Sequence, residues 1–233
     1  IAGSASAGIY LDNAAGGSVI ANNVIGFQPD GLGNGSNASG IFAFNSKNNV
    51  IQYNTIGNSA SNGVTLSGVG TSGSRVQYNT IGMSYDGSPA GNGAAGVLIS
   101  FAAKNNTIGA PLNATWGGNF IFGSAGAGVW ISPSGGAGNS VLDNSFWNSG
   151  GLDIDFGAAG PSANQSTNPA TGPNNLQNYP EIGSAVSTGG NTTVTGTLRS
   201  NASTTYRLEF FSSATGDASG YGEGRTWLGA TTV

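Results

Sequence analysis

Short apolar runs of four to six residues, opened by glycine and separated by Asn-containing turns, recur along most of the chain. The opening phrase, Gly-apolar-x-apolar, stands at Gly8-Ile9-Tyr10-Leu11, Gly40-Ile41-Phe42-Ala43, Gly63-Val64-Thr65-Leu66, Gly96-Val97-Leu98-Ile99, Gly128-Val129-Trp130-Ile131 and Gly151-Leu152-Asp153-Ile154. About a dozen residues after it comes Asn-x-Ile-Gly, at Asn23, Asn54, Asn79 and Asn106, with degenerate copies at Asn119-Phe120-Ile121 and Asn144-Ser145-Phe146. The opening glycines lie 32, 23, 33, 32 and 23 residues apart. Self-similarity at a period of roughly 20–50 residues marks a solenoid. A step of 23 fits one coil of a parallel β-helix, three short strands and three turns. Two of the longer steps add residues at one place, Phe27–Gly35 and Met83–Gly93, which predicts loops projecting from one corner. The third carries a second Asn-x-Ile instead, between Pro111 and Gly123.

A helical solenoid is excluded by the punctuation. Glycine supplies 42 of 233 residues, and the apolar runs have strand length without an i, i+3, i+4, i+7 stripe. The pattern predicts an all-β chain, a right-handed parallel β-helix of about six coils. The inward stack should hold Ile9, Leu11, Ile41, Val64, Leu66, Val97, Ile99, Val129, Ile131, Leu152 and Ile154. A second inward column should hold Ile25, Ile56, Ile81, Ile108 or Ile121, and Phe146. The recurring Asn is expected at bends that need the left-handed backbone region, which Asn tolerates. Stacked side chains of Asn23, Asn54, Asn79 and Asn144, with Asn106 or Asn119 as the fifth rung, would form a hydrogen-bonded ladder.

After Gly151–Gly157 the grammar changes. Residues 158–180 are rich in Pro, Asn, Ser and Gly and read as a cap or linker. Residues 181–233 carry longer alternating runs, Asn191–Leu198 and Thr205–Phe211, joined by Ser-Asn-Ala-Ser, which reads as a hairpin of a partial β-sandwich or a capping β-region. The expected units are thus 1–157, 158–180 and 181–233.

Only 7% of residues are charged and the net charge is −4, which argues against nucleic acid and anionic membrane surfaces. No apolar run approaches the roughly 18 residues of a membrane span. With no Cys and no His, the chain has no disulfide, no Ser-His-Asp triad and no His-based zinc site. No metal or cofactor is expected. Low charge with abundant Asn, Ser, Thr and Gly suits an extracellular or cell-surface setting. Beginning at Ile1 and ending in strand-like Thr231-Thr232-Val233, the sequence reads as part of a larger parent chain. Glycosylation sequons stand at Asn34, Asn37, Asn105, Asn113, Asn164, Asn191 and Asn201.

The Asn-x-Ile-Gly and Gly-Val-x-Ile units, with the Asp86–Gly93 insert, resemble right-handed parallel β-helix repeat proteins of the pectate-lyase-like superfamily. Leu152–Gly157, Gly172–Pro180, Tyr206–Phe211 and Gly220–Gly224 are similar to the end of the β-helix in large bacterial secreted or surface proteins, where it leads into an immunoglobulin-like region. The resemblance implies the fold; the fold itself hosts lyases, hydrolases, adhesins and inert stalks. The lyases among them use clustered carboxylates for Ca²⁺ and an Arg or Lys base. Here Lys47, Arg75 and Lys104 do not sit at strand spacing beside acids.

Two constellations remain. Outward positions of the Gly-apolar-x-apolar strands form a column Tyr10, Phe42, Thr65, Leu98, Trp130, Asp153, beside a second column Asp12, Phe44, Ser67, Ser100, Ser132, Asp155. Trp130 should therefore neighbour Asp153, and Ser132 Asp155. Aromatic faces flanked by carboxylates and hydroxyls suit a glycan; the alternative is a face covered by a loop, the second region or another subunit. Asp153 and Asp155 should lie about 7 Å apart on one face. That separation falls within the roughly 6.5–9.5 Å of inverting glycoside hydrolysis, against a structural use of both acids at the solenoid's end. Asp30 and Asp86 read as turn residues. The sequence thus predicts a non-catalytic structural or adhesin-like scaffold that contacts glycan through Tyr10, Phe42, Trp130, Asp12 and Phe44. Its alternative is a polysaccharide hydrolase or lyase with Asp153 and Asp155 as catalytic acids.

Overall fold

The computed structural model describes residues 1–14, 16–110, 117–216 and 220–233. The first coil comprises β1 (Ala7–Asp12), β2 (Val19–Ala21) and β3 (Val24–Ile25), and the second β4 (Ser39–Phe44), β5 (Val50–Gln52) and β6 (Thr55–Ile56). The third holds β7 (Val64–Ser67), β8 (Arg75–Gln77) and β9 (Thr80–Ile81), and the fourth β10 (Val97–Ser100), β11 (Thr107–Gly109) and β12 (Phe120–Phe122). The fifth holds β13 (Val129–Ile131), β14 (Ser140–Leu142) and β15 (Ser145–Trp147), and β16 (Ile154–Phe156) begins a sixth. Equivalent strands pair in parallel into sheets of six, five and five strands, so the chain forms a parallel β-helix. Among the described residues no helix is long and apolar enough to cross a membrane.

Like side chains stack on like within the solenoid. Ile41, Val64, Val97 and Val129 follow one another in register on the first sheet. Ile25, Ile56, Ile81, Ile121 and Phe146 do so on the third. β-branched side chains fill such pleated, laterally supported positions well. The Asn106-Thr107-Ile108-Gly109 phrase, grouped above with the Asn79 phrase, belongs to a different corner: Ile108 pairs with Val76 on the second sheet, whereas Ile121 pairs with Ile81. The inward column of that second sheet also includes Ile20 and Ile51, both buried and neither marked by a repeated phrase.

Corners between sheets two and three carry a continuous ladder of amides. The backbone N–H of Asn23 donates to Asn54 Oδ1, Asn54 to Asn79, Asn79 to Asn119 and Asn119 to Asn144, each at 3.0 Å. Each side-chain Nδ2 reaches the same acceptor at 2.9–3.0 Å. Asn79 Nδ2 also donates to the Gln77 carbonyl of its own turn and the Ile51 carbonyl of the neighbouring coil. Asn119 is the rung between Asn79 and Asn144. Asn106 stands in a second ladder, Asn49–Ser74–Asn106–Asn139–Asn174, between sheets one and two.

The left-handed conformation falls one residue before the rung, not on it. Asn22, Tyr53, Tyr78 and Asp143 have φ of 55–58°. In the second ladder Asn48, Gly73, Asn105 and Gly138 hold the same place. The rung is selected for its amide, and the preceding residue makes the bend.

The two inserts close as small antiparallel bridges, Phe27 with Asn34 and Met83 with Pro89. Asp30 accepts the N–H groups of Leu32 and Gly33, and Asp86 that of Ser88 and the Ser84 hydroxyl. These bonds hold both carboxyls below the usual range. Asn37 is buried with its side chain accepting the Ser4 N–H, so that sequon cannot carry a glycan. Asn113 lies outside the described residues.

Beyond β16, a single turn at Pro173–Leu176 precedes β17 (Glu181–Thr188), β18 (Asn191–Thr197), β19 (Arg207–Ser212) and β20 (Thr226–Thr232). The hairpin expected between the Asn191 and Thr205 runs does not form. β18 pairs with β17 and β19 with β20, in two separate antiparallel ribbons. Gly189-Gly190, both at positive φ, supply the tight turn that a two-residue hairpin demands, so β18 folds back on β17 rather than forward on β19.

The buried ladder predicts a position-dependent cost. Asn79→Ala strands several buried donors and acceptors at about 1–3 kcal/mol each. It should lower unfolding free energy by about 3 kcal/mol or more, against about 1 kcal/mol for Asn23→Ala at the partly exposed end. Urea denaturation of both variants measures the difference, and equal costs would show that the ladder is not the constraint.

Candidate functional site

The solenoid's interior ends at its last coil, and the chain that follows folds back over it. Gly224 continues the third sheet: its carbonyl accepts the Phe146 N–H at 3.0 Å. The Arg225 carbonyl accepts the Ser145 hydroxyl at 2.5 Å, and the Arg225 guanidinium lies 3.8 Å above the Trp147 ring. Glu223 accepts the Asn148 N–H. Asn174 tops the second ladder, accepting the Asn139 N–H at 2.9 Å and donating to its carbonyl at 2.6 Å. Glu209 on β19 accepts the Asp143 N–H at 2.8 Å, and Arg207 binds Glu209 at 2.9 Å and Asp143 at 3.3 Å. An open solenoid end exposes unpaired backbone groups, and these contacts satisfy several of them.

Between the last coil and its cover lies a cavity of about 660 Å³. Its floor is the exposed end of the core, with Val141, Phe146, Leu152, Ile154 and Phe156. Its cover includes Pro161–Gln165, Leu176–Pro180, Phe211 and Tyr221. Four of the chain's ten acids line it: Asp143, Asp153, Asp155 and Glu209. The rings of Tyr179 and Tyr221 meet edge to face at 5.8 Å.

The last strand enters in a different register from the one expected. Trp130 pairs with Asp155, not Asp153, and Val129 pairs with Ile154. Asp153 therefore precedes β16, and the residue after Phe156 that takes the place beside Ser132 is Gly157. The Leu152–Phe156 segment is apolar at every second position, so a two-residue slip keeps both faces and the sequence pattern is indifferent to it. Asp153 and Asp155 are not a pair on one strand, although both line the cavity. Asp153 Oδ2 accepts the Gly224 N–H at 2.6 Å, and Asp155 Oδ2 accepts the Gly160 N–H at 2.8 Å.

Asp155 is 4% exposed, and its second oxygen, Oδ1, has no hydrogen-bond partner. Burial raises its carboxyl above the usual range, against the lowering by the Gly160 N–H. Glu209 is raised for the same reason, in spite of the Asp143 N–H and Arg207. Among the described residues no three acids converge closely enough to hold a metal ion.

The outward strip of the first sheet is interrupted. Tyr10 and Phe42 are neighbours, with ring centroids 5.3 Å apart, and Tyr10 is half exposed. Next come Thr65, which is buried, and Leu98. Trp130 spends its Nε1–H on the Gly157 carbonyl at 3.0 Å, which ties down the start of the cover. In the second row Asp12 pairs with Phe44 and Phe44 with Ser67, and the Ser67 and Ser100 hydroxyls are 3.3 Å apart.

Asp143, Glu209, Tyr179 and Tyr221 had no signal in the sequence. They lie far apart along the chain and belong to no repeated phrase.

The raised Asp155 carboxyl has a definite sign in stability. Its neutral form is favoured in the folded state, so the associated stability is complete below the unfolded value of 3.8 and is lost as pH rises through the higher folded value. Asp155→Asn removes that loss. Relative to the variant, the wild-type chain should become less stable on going from pH 4 towards neutrality; parallel pH profiles of the two proteins would rule this out.

No protein-family model matches the chain, and no curated protein or solved structure is similar enough to it to count as a match.

Proposed function

We propose that this chain is a non-catalytic, adhesin-like scaffold of a secreted or cell-surface protein that touches glycans through the Tyr10–Phe42 end of the first sheet. Kinship with the pectate-lyase-like superfamily, resting on the repeated phrases, belongs to the same proposal. One observation carries it. The two outward rows of the six-stranded sheet hold acids only at opposite ends, Asp12 on β1 and Asp155 on β16. Five strand spacings separate them, roughly 24 Å at about 4.8 Å each. Between them stand Phe42, Phe44, Thr65, Ser67, Leu98, Ser100, Trp130 and Ser132, none of which titrates near neutral pH. A polysaccharide lying along this face meets no acid–base pair.

The acids at the solenoid's end fit structural duty as well. Asp153 and Asp155 each accept a backbone N–H from the segments that close over the last coil. On this face Tyr10 is half exposed with Phe42 partly exposed beside it, a pair that suits stacking on a sugar ring, whereas the Thr65, Ser67, Ser100 and Ser132 hydroxyls are buried. The low charge and the abundance of Asn, Ser and Thr support an extracellular setting.

A second reading, a carbohydrate-active enzyme, is favoured by the raised and half-bonded Asp155 carboxyl, the state a general acid needs.

Incubation with a panel of acidic and neutral polysaccharides separates the two. The scaffold reading expects no new reducing ends and no unsaturated products from the wild-type chain or from Asp153→Asn and Asp155→Asn. Product that vanishes in either variant would replace it with the enzyme reading. Glycan contact is tested separately: Tyr10→Ala with Phe42→Ala should cut retention on the bound polysaccharide about tenfold, the loss of roughly 1–2 kcal/mol of stacking. Unchanged retention would move the contact elsewhere.

A further inference from the structure

Two tyrosines stand where the corner between sheets two and three makes its left-handed bend. Tyr53 and Tyr78 have φ of 56° and 55°, a region that bulky L side chains adopt only at a cost. Asn22 and Asp143 hold the same place in the first and fifth coils, and their short polar side chains suit it better. Tyr53 is 53% exposed and Tyr78 37%. Their ring centroids are 4.9 Å apart and their planes lie within 10° of parallel. That separation matches the spacing of adjacent coils, about 4.8 Å. With equal φ as well, one ring is the other moved along by one coil, and like atoms lie over like. The residues on either side tie the same two coils together. Gln77 Nε2 donates to Gln52 Oε1 at 3.0 Å, and Asn54 Nδ2 to Asn79 Oδ1 at 2.9 Å. Side-chain bonds before and after the pair thus hold it in register. Tyr179 and Tyr221 meet differently, at 5.8 Å and 89°, and Tyr10 neighbours Phe42, which has no hydroxyl.

A phenol gives up one electron and its hydroxyl proton to a one-electron oxidant. The unpaired electron of the phenoxyl radical spreads to the two ring carbons beside the C–O bond, and two such radicals held together join through those carbons. We propose that Tyr53 and Tyr78 form an oxidative cross-linking site, where hydrogen peroxide and a haem peroxidase join the two rings into a dityrosine that staples the second coil to the third. One Cε–Cε bond forms, and the proton on each joined carbon moves to its own ring oxygen, restoring both phenols. The two electrons and two protons removed reduce one peroxide to two waters. Radicals held one coil apart meet far more often than radicals on separate chains, so coupling within the chain is favoured. Both rings lie on the outside of the corner, where an oxidant reaches them and where they can tilt until the two carbons bond. The site is separate from the Tyr10–Phe42 end of the first sheet, so it does not rest on the glycan reading.

The test treats the full chain, at high dilution, with hydrogen peroxide and a haem peroxidase. Dityrosine fluorescence, intact mass and protease fragments are then read. The expected product is a monomer lighter by two hydrogen atoms, with the Tyr53 and Tyr78 peptides covalently joined. It should accumulate at least about tenfold faster than chain-to-chain dimers or a Tyr179–Tyr221 product, the advantage of holding the two reactants together. Tyr53→Phe and Tyr78→Phe keep both rings and remove one hydroxyl each, so either should abolish the joined peptide; urea midpoints measured alongside show that the variants fold. If a variant does not fold, the peptide map of the wild-type chain decides alone. Absence of the mass loss, coupling only between chains, linkage mapped to other tyrosines, or a joined monomer that persists in a folded Phe variant overturns the proposal.

Discussion

Every turn of a parallel β-helix must interrupt its backbone ladders at the corners while keeping successive coils one strand spacing apart. Buried N–H and C=O groups at those bends cannot pair with a sheet neighbour and cannot reach water. An Asn side chain is a peptide group on a short arm. Stacked, it donates and accepts as the missing backbone would, which is what Asn23, Asn54, Asn79, Asn119 and Asn144 do over five consecutive coils. Everything else follows the spacing this imposes. Isoleucines can lie directly over one another because each rung fixes its neighbour's height, and Gly82, at φ 91°, sits where a Cβ would lie 1.8 Å from the Phe122 carbonyl oxygen. Serine serves in the second ladder at Ser74 because its hydroxyl can accept the Asn49 N–H in place of an amide oxygen.

What could be read from the sequence follows from which constraints repeat. The parallel coils, the inward stacks of two sheets and most of the first ladder are visible because five coils impose the same demand on the same position. The second sheet is nearly silent: Ile20, Ile51 and Val76 sit in three-residue strands without a flanking glycine or a repeated phrase. The identical Asn-Thr-Ile-Gly phrases at Asn79 and Asn106 occupy different corners, because both corners take a side-chain acceptor after a left-handed residue. The end of the solenoid was least legible. The alternation from Leu152 to Phe156 allows two registers, and the choice depends on a cover whose parts come from Gly160, Asn174, Glu209 and Gly224. Each occurs once and follows no period.

The same asymmetry separates structure from function in this molecule. Along the coils the buried corner amides are engaged in the ladders, and between the end strands the outward residues of the first sheet are hydroxyls or apolar groups. Charge, which is scarce, collects where the repeat stops. Asp143, Asp153, Asp155, Arg207 and Glu209 all serve the junction between the last coil and the segment over it. Most of that charge is consumed in fastening: Asp153 to Gly224, Glu209 to Asp143, Arg207 to both acids.

Asp155 is the exception. Its partner Gly160 needs only one oxygen, and an Asn or Ser there could offer that oxygen without bringing a charge into an apolar space. A solenoid end can be closed by apolar packing and backbone pairing alone, as the Phe146–Gly224 bond illustrates. Here the end is closed around a cavity and one buried carboxylate oxygen stays unpaired, an arrangement whose cost grows as the carboxyl ionises.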